Sequence, residues 1–396
     1  MESPRLVAGL ARIVRDVDLA EELAQDALVA ALEQWPAEGI PDKPGAWLMA
    51  TAKHRAIDRI RRNERLARKQ EELGRELDAE HSTAPDESDD LLRLVFAACH
   101  PVLSTEGRVA LTLRLVGGLE TDEIARAFLV PVPTIAQRIV RAKRTLAEAR
   151  VPFEVPSAGE LTTRLASVLE VIYLIFNEGY SATTGDDWMR PGLCEEALRL
   201  GRILAELLPK EPEAHGLVAL MEIQASRLRA RVGPSGEPIL LLDQDRGRWD
   251  RLLIRRGLTA LERAERLGGA RGPYALQAAI AACHARARTG DETDWPRIAA
   301  LYDALAQLAP SPIVDLNRAV ALGMAFGPAA GLEVVDALTA SGTLATYHLL
   351  PSVRGDLLAK LGRRQEARAE FERAASLTRN ARERALLLER AAATRS

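Results

Sequence analysis

The chain has 396 residues, of which 47% are hydrophobic and 4% aromatic, and its formal net charge is −3. Because domains average roughly 150 residues, this length predicts two or three domains. The near-neutral charge argues against a uniformly basic nucleic-acid binder and against an acidic disordered protein. The sequence is rich in Ala, Leu, Arg and Glu, which favour helices over sheets because they lose little entropy in a helix.

The sequence contains no uncharged apolar stretch long enough to cross a membrane, so no membrane span is predicted. The N-terminal segment alternates charged and apolar residues and lacks the apolar core of a signal peptide. Its three cysteines (Cys99, Cys194 and Cys283) are widely spaced and odd in number, which does not suit a disulfide framework. We therefore expect a soluble protein of the reducing cytoplasm.

The first 70 residues have the apolar spacing of helices, with Leu6, Leu10, Ile13 and Val14 on one predicted face. Three prolines and two glycines between residues 36 and 45 predict an irregular loop. A further helix is predicted after this loop.

The charge separates along the next part of the chain. Residues 53–69 contain eight Lys or Arg against two acids, whereas residues 71–90 contain nine acids against one Arg. The second half of the acidic stretch lacks a core-facing stripe and is predicted to be a flexible linker. One hypothesis is that these acids occupy a basic DNA path until a partner displaces them; the alternative is a plain spacer between domains.

Residues 91–150 again have dense helical periodicity, and their last part pairs a short helix with a basic one. Ser104 is a predicted N-cap, and Gly117–Gly118 predicts the end of that helix. After the turn at 129–133, Thr134 is predicted to cap the final basic helix. A short helix, a tight turn and a basic helix are typical of a DNA-binding helix-turn-helix.

Residues 151–160 predict a second linker, and everything after them has the pattern of consecutive helices. The segment 350–396 has the small-residue, Leu-Gly and Ala-x-x-x-Phe spacing of a tetratricopeptide repeat. Such repeats build concave surfaces for peptides and partner proteins. Because this region has no basic run like that of 53–69, we expect a protein or peptide partner for it rather than DNA.

Three motifs, in order, resemble those of bacterial extracytoplasmic-function sigma factors of the sigma-70 family. LAEELAQDALVAALEQW (19–35) resembles the helix of domain two that grips RNA polymerase. PGAWLMATAKHRAIDRIRR (44–62) resembles the segment that melts the promoter and reads its −10 element. LETDEIARAFLVPVPTIAQRIVRAKRTL (119–146) resembles the domain-four helix-turn-helix that reads the −35 element, although its turn lacks the glycine of many relatives. The remainder resembles the subgroup with a long C-terminal extension of tetratricopeptide-like helices.

The resemblance implies an all-α fold with two small helical sigma domains, the second containing a helix-turn-helix, and a C-terminal α-helical tetratricopeptide-like domain. The implied boundaries are sigma domain two at 1–72, the acidic linker at 73–90, sigma domain four at 91–150, a linker at 151–160 and the helical extension at 161–396. Core RNA polymerase and promoter DNA are the implied partners. The extension is expected to modulate activity or to bind a partner.

Capture of unstacked bases needs cations for phosphates and an aromatic or apolar platform for the bases. Reading a duplex needs a basic helix whose first turns face base edges, with later cations on phosphates. The predicted −10 set is Trp47, Lys53, Arg55, Arg59, Arg61 and Arg62. The predicted −35 set is Thr134, Gln137 and Arg138 toward the bases, and Arg141, Lys143 and Arg144 toward phosphates. The predicted polymerase-binding set is the acidic helix face Glu21, Glu22, Gln25 and Asp26.

Other interpretations remain open at this point. Trp47 suits a core position as well as a base platform, and the acidic face of 21–26 suits the solvent side of an amphipathic helix. A helix-turn-helix regulator or adaptor, with a helical-repeat partner domain and no polymerase role, explains 91–396 but leaves the domain-two motifs unexplained.

An enzyme is a third alternative, because two polar clusters with aromatics, at 177–188 and 243–250, have the composition of a pocket. Both lie between predicted helices, however, where Asp commonly caps and Arg pairs with it. The Cys-His pairs at 99–100 and 283–284 each lack a nearby second pair for zinc, which favours a packing role. We predict no catalytic residue, no cofactor and no metal site.

Overall fold

The structure is a computed structural model that describes residues 2–14, 16–64, 87–128, 130–182, 186–234 and 236–394, with only the backbone described at 2, 3, 37, 58–64, 87–89 and 158. It divides into two compact units, Met1–Leu174 and Ile175–Ser396. The regular structure of the described residues is helical apart from an isolated β-bridge between Val232 and Pro238, so the predicted all-α fold is confirmed. No described helix is both long and apolar enough to cross a membrane.

The N-terminal bundle consists of α1 (Glu2–Val14), α2 (Val17–Glu38) and α3 (Pro44–Glu64). The carboxylate of Asp16 caps α2 by accepting hydrogen bonds from the amides of Asp18 and Leu19. Leu6 and Leu10 are buried in the core of this bundle, which confirms the predicted apolar face of α1.

The irregular loop predicted at 36–45 is shorter in the structure. Helix α2 continues through Pro36 to Glu38, and α3 begins at Pro44. Pro36 removes one amide from the hydrogen-bond ladder, and only two further residues of α2 follow it. The helix ends at Gly39, whose φ of +88° favours a residue without a side chain.

The second bundle consists of α4 (Glu87–Ala98), α5 (Thr105–Leu115), α6 (Thr121–Phe128) and α7 (Val132–Glu148). Ser104 caps α5 by accepting from the amide of Gly107, as predicted. Thr134, in contrast, is not an N-cap: α7 already begins at Val132, with Pro131 at the cap position. Prolines suit the first turn of a helix because the amides they lack have no partner there. The prediction placed this helix start too late for that reason.

The acidic stretch falls largely outside the described residues, which resume at Glu87. Residues 87–90, predicted as the end of the linker, form the first turn of α4. Asp90 is buried there rather than solvated. The hypothesis that the acidic residues cover a DNA path concerns residues 71–90, of which 71–86 lie outside the described part of the chain.

Helix α8 (Ala158–Tyr180) begins within the first unit and lies on the second bundle. Arg164 donates to the carbonyl of Phe96 at 2.9 Å, and the Ser167 hydroxyl donates to the carbonyl of Cys99 at 2.6 Å. Arg108 in turn donates to Ser167 at 2.5 Å and pairs with Glu170 at 3.1 Å. These bonds attach α8 to the end of α4 and to α5.

The second unit continues with ten helices among the described residues. They are α9 (Pro191–Leu207), α10 (Pro212–Ala225), α11 (Arg251–Arg266), α12 (Pro273–Arg286), α13 (Trp295–Leu308), α14 (Pro312–Phe326), α15 (Pro328–Ser341), α16 (Leu349–Lys360), α17 (Arg364–Leu377) and α18 (Ala381–Ala393). Short 3-10 turns occupy the segment between α10 and α11. Five of these helices begin with proline, which is preorganised for a first helical turn.

The segment predicted to be repeat-like contains α16, α17 and α18, which pack around Phe371 and Leu357. Gly355 lies so close to the Phe371 ring that a Cβ there would stand 2.9 Å from it. The close approach of α16 and α17 therefore requires a residue as small as glycine at position 355 of the repeat-like segment.

Candidate functional site

Helix α7 is the basic helix of the helix-turn-helix. Its buried side is apolar and packs on the second bundle, with Ile135, Ile139, Ala142 and Leu146. Of the predicted −35 set, Gln137, Arg141 and Arg144 are exposed, whereas Thr134 and Arg138 are half-buried. Arg138 and Arg141 line a groove of about 340 Å³ beside the start of α5. The structure therefore gives α7 an open cationic side.

Lys143 lies on the opposite side of α7, against the N-terminal bundle. Its Nζ is 2.6 Å from Asp18 Oδ1 and 2.7 Å from Glu21 Oε2 on α2. Burial by itself lowers the pKa of Lys143, but the hydrogen bonds that Lys143 donates to Asp18 and Glu21 outweigh burial and raise the pKa overall. Lys143 therefore stays protonated and takes part in a contact between the two bundles.

Arg114 of α5 completes this contact. Its Nε is 2.7 Å from Glu21 Oε1, and a second nitrogen is 2.5 Å from Glu120. Both oxygens of Glu21 are therefore engaged by cations of the second bundle, and the Glu21 side chain is 13% exposed. We call Asp18, Glu21, Arg114 and Lys143 the inter-bundle ion cluster.

A second contact joins the bundles through α1. Arg12 lies 3.2 Å from Asp90 of α4, and Arg93 lies 2.6 Å from the other oxygen of the same carboxylate. Asp90 is nearly fully buried, so these cations compensate its charge. Two separate sets of ion pairs therefore join the N-terminal and second bundles, in addition to the packing of α1 on α4.

The outer face of α2 carries the rest of the predicted polymerase-binding set. Glu22 and Gln25 are exposed, and Val29 and Leu32 continue their line along the helix with 51% and 76% of their surface exposed. Residues 22, 25, 29 and 32 lie on one helical face because they are three or four positions apart. Sequence reasoning selected the acidic part of this face and missed its apolar part. The spacing of three or four positions between Gln25, Val29 and Leu32 would have placed the two apolar residues on the acidic face.

Asp26 connects this face to the predicted −10 set. Arg55 of α3 donates to the Asp26 carbonyl at 2.8 Å and lies 3.6 Å from its carboxylate. Trp47 is half-buried and contacts Trp35 edge-on, with ring centroids 5.5 Å apart. Trp47 therefore has one ring contact inside the bundle and part of its surface in solvent.

Lys53 is half-buried on α3, two turns after Trp47. The predicted residues Arg59, Arg61 and Arg62 lie on the last turns of α3, where their side chains fall outside the described part. The remaining basic residues of 65–69 lie outside the described chain altogether.

Comparison with known proteins decides the family. The model of the Sigma-70 region 2 family matches residues 1–66, and that of Sigma-70, region 4 matches residues 93–146. An uncharacterized protein of Rhizobium meliloti (strain 1021) is 46% identical over 391 residues, which cover 97% of this chain and 92% of that protein. The ECF RNA polymerase sigma factor SigK of Mycobacterium ulcerans (strain Agy99) is 29% identical over 153 residues, 36% of this chain and 78% of SigK.

The chain therefore contains the two sigma-70 regions and is similar to an extracytoplasmic-function sigma factor. Its two sigma-70 regions imply binding to core RNA polymerase and promoter DNA, and they are regions of a transcription initiation factor, a non-enzymatic class. Beyond them, a family of unknown function (DUF6596) matches residues 164–265.

In this sigma factor's extension, the two polar clusters considered for catalysis are largely structural. Asp245 and Asp250 cap the turn and helix that follow them, as predicted. Arg246 donates to the carbonyls of His284 and Ala287 and to Thr293. Residues 183–185 of the first cluster lie outside the described chain.

Arg231 lies in the segment between α10 and α11, and its side chain contacts the polar cluster 177–188. Its guanidinium stacks on the Tyr180 ring at 3.7 Å and donates to the Tyr180 carbonyl at 3.0 Å. Trp188 also lies within 5.5 Å of this guanidinium. Tyr180 and Trp188 thus contact the guanidinium of Arg231, a side chain of the same protein.

The cysteines occupy core positions. Cys99 Sγ lies 3.2 Å from the Thr112 hydroxyl, and burial raises the pKa of Cys99 to about 11. Cys194 Sγ lies 3.6 Å from the Phe176 carbonyl, and burial raises its pKa to about 12. Both thiols are therefore protonated at neutral pH and behave as packed apolar groups.

His284 makes the second unit sensitive to acid. Burial, together with the charges of Arg227 and Arg246, lowers the pKa of His284 from 6.5 to about 3. A lowered folded-state pKa means that stability is complete above about pH 6.5 and is lost as the pH falls below it. Between pH 7 and 5.5 this group alone should cost about 1 kcal/mol.

Urea unfolding of the wild-type chain and of His284→Gln at both pH values tests this expectation. The wild-type chain should lose about 1 kcal/mol more stability than the variant on acidification. Equal losses in the two proteins would show that another group sets the pH dependence.

Proposed function

We propose that this sigma factor binds core RNA polymerase through the outer face of α2 and directs promoter-specific transcription initiation. The exposed line of Glu22, Gln25, Val29 and Leu32 carries this proposal, because a regulator that acted only through its helix-turn-helix would not need it. Exposed apolar side chains bordered by polar ones are typical of protein-binding surfaces. We assign Glu21 and Asp26 to the edges of the same surface.

For promoter DNA, we propose that Trp47, Lys53, Arg55 and the later arginines of α3 act at the −10 element. The half-exposed ring of Trp47 beside the loop 39–43 suits a stacking platform for an unpaired base. The cations that follow it along α3 suit the phosphates of the melted strand.

We further propose that the exposed side of α7 reads the −35 element. Gln137 and Arg138 lie in its first turns, where side chains of a recognition helix reach base edges. Arg141 and Arg144 lie further along and suit phosphates. Thr134 occupies the first turn of α7, where it suits either contact. Lys143 reaches DNA only after leaving the inter-bundle ion cluster.

The closed contact between the bundles must therefore open during initiation. The −10 and −35 elements lie roughly 25 base pairs apart, about 85 Å along B-DNA. In the structure, the α2 carboxylates and the α7 lysine are in direct contact. One molecule cannot read both elements while the bundles remain in contact, and opening also frees Glu21 for polymerase.

In vitro transcription of genomic DNA fragments with core polymerase tests the proposed function. We expect new RNA 5′ ends that share upstream −10 and −35 sequences and that require this chain. Duplex DNA binding by the chain without any polymerase-dependent transcript would instead support the alternative of a helix-turn-helix regulator or adaptor.

We also propose a cytoplasmic location, where polymerase and promoter DNA occur, and a modulating role for the extension. Loss or gain of transcription after truncation distinguishes a required extension from an inhibitory one. The truncation point matters, because Arg164 and Ser167 bond to the carbonyls that end α4. Truncation after residue 174 preserves these bonds, whereas truncation at 160 removes them. Unchanged transcription would contradict both roles.

A further inference from the structure

The extension contains an open groove of about 530 Å³ formed by α9, α10 and α11. Its walls include Val218 and the exposed Leu252, and its polar rim is dominated by four arginines: Arg202, Arg255, Arg256 and Arg263. The groove lies entirely within the second unit and is separate from the sigma-70 regions.

The arginines of this groove differ in how they are held. Arg263 donates to the Pro209 carbonyl at 3.1 Å and to His215 at 3.1 Å. Arg255 is exposed and has no polar partner among the described residues. Since the whole chain has a net charge of −3, the positive field at this rim is a local feature.

Glu222 lies at the floor of the groove and is 2% exposed. Its Oε1 accepts from Arg202 at 2.9 Å and lies 3.5 Å from Arg256. Its Oε2 is buried and has no hydrogen-bond partner among the described residues. This oxygen is closed to solvent, so the polar groups of the groove that a ligand can reach are the exposed cations of the rim.

We propose that this groove binds an acidic peptide segment of a partner protein. Carboxylates of the peptide pair with Arg255, Arg256 and Arg263, which are exposed at the rim. The apolar walls cover the peptide's side-chain stems. Nucleic acid fits less well, because Glu206 and Glu222 stand among the four arginines of this groove, so it lacks the uniformly positive track that a phosphate backbone needs.

This inference deepens the partner-binding role proposed for the extension and rests on that role. It does not depend on transcription by the sigma-70 regions. A direct binding measurement on the full-length chain therefore tests peptide binding separately from transcription initiation. Initiation with core polymerase can fail while peptide binding holds, and peptide binding can fail while initiation holds.

The probe is a fluorescein-labelled peptide of four Glu-Glu-Ala repeats, with four Gln-Gln-Ala repeats as the uncharged match. Fluorescence anisotropy with the full chain should give a Kd of roughly 10–100 µM for the acidic peptide at low salt, weakening as salt is raised. The uncharged peptide should bind at least tenfold more weakly. Equal binding of the two peptides, or no binding of either, overturns the proposal.

Arg255→Gln is the informative variant, because removing a cation without a polar partner leaves no neighbour unpaired. It should weaken binding of the acidic peptide about fivefold, and Arg255→Glu should weaken it further. Arg271→Gln, an exposed arginine outside the groove, is the matched control and should leave binding unchanged. Equal effects of the Arg255 and Arg271 variants would overturn the site. So would an Arg255-dependent affinity for a 20-base-pair duplex that exceeds the affinity for the peptide.

Discussion

Arg114→Gln is expected to shift the free sigma factor from the closed to the open arrangement and to raise its apparent affinity for core polymerase about tenfold. The variant removes the bond from Arg114 to Glu21 Oε1 and leaves that carboxylate with Lys143 alone. Loss of one partner from a largely buried ion pair costs about 1.4 kcal/mol or more, a factor of ten in the equilibrium between the two states. Arg114 belongs to neither predicted DNA-binding set, so the gain is not offset by lost contacts.

The opening itself is measurable in the free protein. Because the three native cysteines are buried, cysteines introduced at the exposed Glu33 and Glu148 can be labelled selectively for energy transfer. Arg114→Gln should lower the transfer efficiency. Arg126→Gln removes an exposed pair within α6 and is the matched control that should leave it unchanged.

The second inter-bundle contact provides an independent check on the Arg114 result. Arg12→Gln removes the α1 partner of Asp90 while Arg93 continues to compensate that carboxylate. It should also open the bundles and raise polymerase affinity. If Arg114→Gln and Arg12→Gln both leave energy transfer and affinity at the wild-type values, the closed contact does not limit polymerase binding.

Local sequence signals predicted the parts of this fold that depend on neighbouring residues. Ser104 caps its helix as predicted, since the cap bond spans only three residues. The aspartates at 245 and 250 likewise cap, which removed much of the support for a pocket between the two polar clusters. The start of α7 was predicted too late because Pro131 and Pro133 are typical of a turn, although proline is also common in the first turn of a helix.

The contact between the bundles could not be predicted from the sequence. Lys143 and Glu21 are 122 positions apart and pair only because α7 and α2 meet in the folded chain. A sequence pattern assigns a lysine on a recognition helix to DNA, and an acidic helix face to a partner protein. The structure shows that the same groups also bind each other. Glu21 of the predicted polymerase-binding set thus contacts Lys143 of the predicted −35 set within one molecule, and neither sequence motif predicts this contact.

The outer face of α2 carries the other large prediction. Leu32→Glu should lower affinity for core polymerase about 30-fold, because it removes about 2 kcal/mol of apolar burial and places a charge in the apolar part of the proposed contact. The isolated chain should keep its stability, since Leu32 is 76% exposed. Leu308→Glu, at a leucine 51% exposed in α13, is the matched control and should bind polymerase normally. Full polymerase affinity of Leu32→Glu would move the polymerase contact off α2, and equal losses in both variants would indicate a nonspecific effect of added charge.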